Sequence, residues 1–544
     1  MHQGGVTLFH NNPYNNPYPS KRNVVYAKNG MVATSQPLAA QAGLTILKKG
    51  GNAIDAAIAT AACLTVVEPP SNGIGGDAFA LVWTKGKLHG LNASGVAPES
   101  ISIEELNTRG ITEIPKFGFI PVMVPGAPSA WAELSRKFGK LTLLEVLEPA
   151  IEYARNGYPL SPTLAYHWNN AYQIYKMNLS GDEYSHWFQT FAPEGYAPNV
   201  GDIWKSEDHA KTLESIGKTY ATSFYQGELA DQIDAFAKKY GGYIQKSDLE
   251  KYKPHWVEPI HINYKGYDVW EIPPNGQGIV ALQALNIVKG FNLDSLINVD
   301  TLHKQIESMK LAFADGLTYV TDPKKMNVSV RDLLSERYAE ARRLLINSVA
   351  GSPNCGKPSG SGTVYLATAD GEGNMVSYIQ SNYMGFGSGL VVPGTGIALQ
   401  NRGHNFSMDP NHDNSLQPGK KTLHTIIPGF LTKDSEAVGP FGVMGGFMQP
   451  QGHMQVVMNS IDFHLNPQAA LDAPRWQWTE GKKILVEPTM SPELIDGLLK
   501  LGHEVQIESN LGSFGRGQII WRNSKTGVLA GGTESRTDAA IASW

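Results

Sequence analysis

Residues Ala53 to Val67 read AIDAAIATAACLTVV, with Asp55 as the one charge in the run. A helix this apolar has no solvent face, so it must be covered on most of its surface by other layers of the same fold. It is too short to cross a bilayer, which takes about 20 apolar residues. The chain therefore has to build a thick interior around this segment. Its 544 residues are enough to do so, and its length alone suggests several domains' worth of chain.

Composition narrows the partners. Charged residues make up 17% of the chain, and 45 basic against 50 acidic side chains leave a formal charge of −5 with no basic stripe or acidic tail. Nucleic acid and anionic membrane are thereby disfavoured, which leaves small molecules or other proteins, including a homodimer. Only Cys63 and Cys355 occur, and Cys63 lies inside the apolar run, so no disulfide framework is expected and a reducing compartment fits. The first residues lack a basic segment followed by an apolar one, so the expectation is a cytoplasmic protein without a secretory signal.

Residues 1–22, rich in Asn, Pro and Tyr, read as an irregular arm. Pro37 to Lys49 reads as a helix stopped by Gly50-Gly51, and the Ala-rich helix follows. SNGIGGD reads as a turn into the strand AFALVW. GIGGDA formally matches a dinucleotide-binding pattern, but it leads from a helix into a strand, the reverse of the required context, so a structural turn is favoured. From Pro128 to about Glu250 the pattern is mostly helical. YKGYDVWEIPP reads as a strand, GIVALQALNIVKGF and TLHKQIESMKLAFADGLTYV as helices, and everything after Lys324 through Gly362 as loop.

Beyond Gly362 the chain changes to strands: TVYLATAD and MVSYIQSN joined by GEG predict a hairpin. Pairing Asp370 with Met375 sets Thr363 opposite Asn382, within one residue, and close to Ser381. A threonine hydroxyl is a weak nucleophile without a base beside it. Cutting the Gly362–Thr363 bond would supply one, since an α-amine with a pKa of about 7.7 to 8.0 can take the hydroxyl proton. Taken by itself, a threonine after a Gly/Ser loop more commonly just opens a strand. Gly445-Gly446 in GGFMQP is similarly open: two amides for an oxyanion, or a bulge between elements. The histidines lack metal-ligand spacing, and no metal or organic cofactor is expected.

The long segment GMVATSQPLAAQAGLTILKKGGNAIDAAIATAACLTVVEPPSNGIGGDAF, with VPGAPSAW, MKLAFADGLTYVTDP, FGSGLVVPGTGIALQN and PGFLTKDSEAVGPFGVMGGFMQPQGHMQVVMNSIDF, resembles the gamma-glutamyltransferase family of N-terminal-nucleophile hydrolases. The resemblance implies an α/β fold, a four-layer αββα sandwich, made as a precursor that cuts itself. The large piece, 23–362 after the arm, and the small piece, 363–544, would stay together as one catalytic globule. It also implies Thr363 as nucleophile, Ser381 as its supporting hydroxyl, and Gly445 and Gly446 as oxyanion donors.

Departures from the family's pattern concern the substrate. TVYLA stands where the transferases have TTHxS, Ser94 where an arginine clamps the glutamyl carboxylate, Asn405 for an aspartate, and His424-Thr425 for a serine pair. Arg402 stands where glutamine is usual, and its guanidinium reads either as a carboxylate clamp or as half of a local salt bridge. The branch it resembles includes oxamate amidohydrolase and cephalosporin-acylase-like proteins. The expected activity is hydrolysis, or transfer, of the acyl group of an amide in a small carboxylate-bearing substrate such as oxamate, oriented by Arg402, Asn382, Tyr383, Asn405, His424 and Thr425. The alternatives are glutathione hydrolysis, a glutaryl-type cephalosporin acylase, or an uncleaved ligand-binding protein on the same fold.

Overall fold

The computed structural model describes residues 22–293, 295, 298–353 and 362–544. Two seven-stranded antiparallel sheets form its centre. The first runs Ala540–Ser543, Gly30–Thr34, Gly362–Asp370, Met375–Tyr383, Asp77–Thr84, Lys87–Ala93, His255–Val257 in spatial order. The second runs Val25–Ala27, Leu529–Thr533, Arg516–Arg522, Glu436–Met444, Gly429–Lys433, Tyr267–Glu271, Ile260–Tyr264. Each sheet draws strands from both sides of residue 363.

Strand alternation divides the core into layers. Along Gly362–Asp370, Tyr365, Ala367 and Ala369 point between the sheets, where they meet Phe79, Ile379, Phe430 and Ile520. Val364 and Leu366 point the other way, into a core shared with the helices Ala53–Val67, Ala127–Phe138 and Leu143–Asn156. A third core joins the outer face of the second sheet to the helices Gly278–Val288, Val299–Tyr319 and Met448–Ile461. The result is helix, sheet, sheet, helix, the expected four-layer sandwich.

All fifteen residues of Ala53–Val67 are buried, as their composition requires. The helix starts with a capping box between Asn52 and Asp55. Asp55 Oδ2 also accepts the Lys140 amide at 2.9 Å, which ties the helix to the start of Leu143–Asn156. Burial pushes the Asp55 carboxyl above its ordinary range, and these backbone donors oppose the shift.

Two expectations need correction. The stretch after Lys324 is not all loop, because Val330–Leu333 and Glu336–Arg343 are helical. Their apolar content is too low to show a period, and they start instead from serine caps, Ser329 to the Asp332 amide at 3.0 Å and Ser335 to the Tyr338 amide at 3.3 Å. The hairpin register is shifted by one: Ala369, not Asp370, faces Met375, and a bulge between Gly362 and Val364 restores Gly362 opposite Tyr383. Residues 1–21 of the irregular arm and most of the PSGSG segment, together with Cys355, lie outside the described residues. No helix among the described residues is long and apolar enough to cross a membrane.

The GIGG turn is a close-packing device. A Cβ on Gly75 would lie 2.2 Å from the Ala398 carbonyl oxygen, and one on Gly76 would lie 2.6 Å from that of Ser381. Gly75→Ala must therefore push the backbone of 398 away, at a cost of about 1–3 kcal/mol. Denaturant unfolding of the variant is expected to show a loss of that size, and an unchanged midpoint would mean that the turn yields freely.

Candidate active site

The hairpin bulge brings Thr363 and Ser381 together: Thr363 Oγ1 lies 3.1 Å from Ser381 Oγ. Ser381 donates to the Gly362 carbonyl oxygen at 2.7 Å and receives the Tyr383 amide at 2.8 Å and Arg402 Nη2 at 3.2 Å. Tyr383 has φ of 80°, a left-handed backbone that a tyrosine adopts only under constraint and that costs of order 1–3 kcal/mol. The Tyr383 amide bonds back to Ser381, while the Tyr383 ring lies 4.3 Å from the guanidinium of Arg402.

Arg402 is 1% exposed. Nη1 donates to Thr425 Oγ1 at 2.6 Å, and the buried Nε–H has no acceptor among the described residues. No carboxylate among the described residues lies in salt-bridge contact with it, so the local ion-pair reading does not hold. Burial pulls its pKa down to about 10, opposed by the field of Asp77, and it stays charged near neutrality.

Asp77 is a site residue that the sequence reading passed over. It opens Asp77–Thr84 and pairs across the sheet with Ser381. Oδ1 accepts the Gly95 amide at 3.0 Å; Oδ2 accepts Gln400 Nε2 at 3.2 Å and His424 Nε2 at 2.9 Å. Gln400 Oε1 in turn holds the Arg402 amide at 2.7 Å. Lys421 was also missed: its ammonium donates to Ser94 Oγ at 3.0 Å, and burial lowers its pKa to about 8. The available signal for Asp77 was its place directly after GIGG, where a tight turn delivers the first strand residue to a fixed point.

His424 is neutral, held well below its usual pKa by burial and by the nearby Arg402 and Lys421. Asn405 is half-buried and donates to the Leu423 carbonyl at 3.1 Å, so it joins the cluster only through the backbone. The Asn382 side chain packs on Gly73 and Gly76, and its buried Oδ1 has no donor among the described residues. Gly445 and Gly446, with φ of 139° and 60°, turn the chain between Glu436–Met444 and Met448–Ile461. Neither amide N–H has an acceptor among the described residues. Gln277 Nε2 bridges the carbonyls of Thr425 and Gly446 at 2.6 and 2.9 Å, which links this turn to the Arg402 cluster.

Away from this site, one cluster among the described residues has the composition of a metal site, His303, Glu307 and His503. There the Lys310 ammonium lies 2.7 Å from Glu307 and already supplies the positive charge, while the two imidazoles bond each other at 2.8 Å. It reads as a buried ion pair beside a histidine pair.

The family model described as Gamma-glutamyltranspeptidase matches residues 39–544. The chain belongs to this family. It is 34% identical to the "Glutathione hydrolase-like YwrD proenzyme" of Bacillus subtilis, covering 94% of this chain and 97% of the relative. It is 32% identical to the "Oxamate amidohydrolase proenzyme" of Klebsiella pneumoniae, covering 95% and 98%. The crystal structure of a cephalosporin acylase from Bacillus halodurans superposes with a TM-score of 0.96 at 66% identity, covering 98% of this chain and 99% of that one. This member of the gamma-glutamyltranspeptidase family is an amide hydrolase or acyltransferase of the N-terminal-nucleophile type.

Burial raises the Asp77 carboxyl from 3.8 to about 7, against the opposing fields of Arg402 and Lys421. A raised folded pKa means that ionising Asp77 costs the folded state more than the unfolded one. Its stabilising contribution is complete below the unfolded value and is lost as pH rises through about 7. Thermal unfolding between pH 4 and 8 is expected to show this decline in the native protein and a flatter profile in Asp77→Asn; identical profiles would reject the assignment.

Proposed function

We propose that the protein is a self-processing threonine amidohydrolase acting on the acyl group of a small amide that carries a carboxylate. The observation that carries this reading is the buried guanidinium of Arg402, which among the described residues has no carboxylate partner and leaves its Nε–H unused, and which lies one hydrogen bond from Ser381. A substrate carboxylate supplies the missing acceptor, and a guanidinium binds it through paired N–H donors.

Cleavage of the Gly362–Thr363 bond gives Thr363 a free amine. Thr363 Oγ1 then attacks the substrate amide carbon as the amine takes its proton. The amide N–H groups of Gly445 and Gly446 receive the oxyanion, a contribution of about 3–4 kcal/mol from such preorganised donors. The amine returns the proton to the leaving nitrogen, and water hydrolyses the acyl-enzyme. Ser381 orients the nucleophile, and His424, Thr425 and Tyr383 line the carboxylate end, with Asn382 and Asn405 beside them. An acceptor amine in place of water would give transfer. The similarity to a cephalosporin acylase favours a substrate of this kind over a γ-glutamyl peptide.

Two measurements test this. Thr363→Ala is expected to remain a single band on denaturing gels and to lose activity at least about a thousandfold. Wild-type protein assayed on oxamate, on a glutaryl amide of a cephalosporin nucleus and on a γ-glutamyl anilide is expected to prefer one of the first two. Strong preference for the γ-glutamyl compound would overturn the substrate assignment, and a wild-type chain that is never cut would overturn the mechanism.

A further inference from the structure

Ser381 Oγ has more donors pointed at it than it can accept. A hydroxyl offers one proton and two lone pairs. Here Arg402 Nη2 at 3.2 Å, the Tyr383 amide at 2.8 Å and Thr363 Oγ1 at 3.1 Å all approach it, while its own proton goes to the Gly362 carbonyl oxygen at 2.7 Å. The first two are obligate donors that cannot reverse. Between them they occupy both lone pairs, so the Ser381 proton has one place left, the carbonyl of the bond to be cut. The threonine hydroxyl is the member that can rotate, and it is therefore the one left free.

We propose that Arg402 is a positioning residue for the self-cleavage of the chain, acting through Ser381 on the Gly362 carbonyl, before it serves as the carboxylate receptor for substrate. The guanidinium fixes the Ser381 rotor and polarises its O–H, which makes that hydroxyl a stronger donor to the carbonyl oxygen. Thr363 Oγ1 adds to the Gly362 carbonyl carbon, the bond from that carbon to the Thr363 nitrogen breaks, and the hydroxyl proton passes to the departing nitrogen. The ester that results joins Gly362 to Thr363 Oγ1. Water hydrolyses it, leaving the Gly362 carboxylate, the free Thr363 hydroxyl and the new α-amine. Thr425 and Gln400 hold Arg402 in place through Nη1 and the backbone amide.

This inference rests on the reading of Thr363 as the nucleophile, and the experiment separates the two. Full-length wild type, Arg402→Gln, Arg402→Lys, Ser381→Ala and the Ser381→Ala/Arg402→Gln double variant are purified uncut or early in maturation. Cleavage is then followed by intact mass and gel, and folding is checked by thermal unfolding. Arg402→Gln is expected to cut about ten- to a hundredfold more slowly than wild type, with Arg402→Lys in between. The double variant is expected to be no slower than Ser381→Ala alone, because Arg402 has nothing left to act through. Wild-type cleavage rates in Arg402→Gln, or independent losses that multiply in the double variant, would overturn the proposal while leaving Thr363 in its role. If Arg402→Gln does not fold, Arg402→Lys decides, since one ammonium replaces the planar two-nitrogen fork that reaches Ser381 and Thr425, and a wild-type rate there overturns it. Absence of any cleavage in the wild type would instead overturn the reading of Thr363.

Discussion

A charged guanidinium has been placed where water cannot reach it, and much of the site is arranged around that fact. Arg402 is held by a hydroxyl on either side, an aromatic face beside it and the field of Asp77, but by no direct salt bridge among the described residues. Bringing an ion out of water costs several kcal/mol unless other groups compensate. The compensation comes from three separate stretches of chain: Asp77 after the glycine turn, Ser381 and Tyr383 at the hairpin end, and Thr425, while Gln400 holds the Arg402 backbone amide. Each must be at its post, which explains why the surrounding backbone is so tightly specified.

That specification is visible in the glycines and in one tyrosine. Gly76 allows the first sheet to close against Ser381 and Asn382, and the same turn delivers Asp77 opposite Ser381. Tyr383 accepts a left-handed backbone so that its amide can point back at Ser381. Local strain of this kind is tolerated where neighbours over-determine the geometry, and here Ser381 holds the Tyr383 amide while Arg402 packs against its ring.

Much of the architecture could be read from the sequence because it rests on local signals. The apolar helix, its Asn52–Asp55 cap, the glycine stops and the hairpin all depend on residues close together in the chain. The same holds for Thr363 and Ser381, which a hairpin register brings together within one residue. What could not be read was long-range: Asp77 meets His424, and Lys421 meets Ser94, across hundreds of residues, and neither has a periodicity to betray it. The missed helices after Lys324 failed for the opposite reason, since caps and charges hold them where an apolar period is too weak to see. Arg402 was legible as a residue out of keeping with its family's pattern, but only the fold showed that no carboxylate among the described residues meets it.

The two sheets are each woven from strands on both sides of residue 363, with Gly30–Thr34 and Asp77–Thr84 flanking the hairpin that begins there. A chain cut before Thr363 would keep every one of these pairings, yet it would have lost the covalent link that let them find one another. Folding of the intact chain is a first-order process; reassembly of two unfolded pieces would be second-order, and each piece would carry unpaired sheet edges in the meantime. The instructions for assembly would then belong to the precursor alone. The mature molecule would persist because it does not come apart, not because it could readily form again.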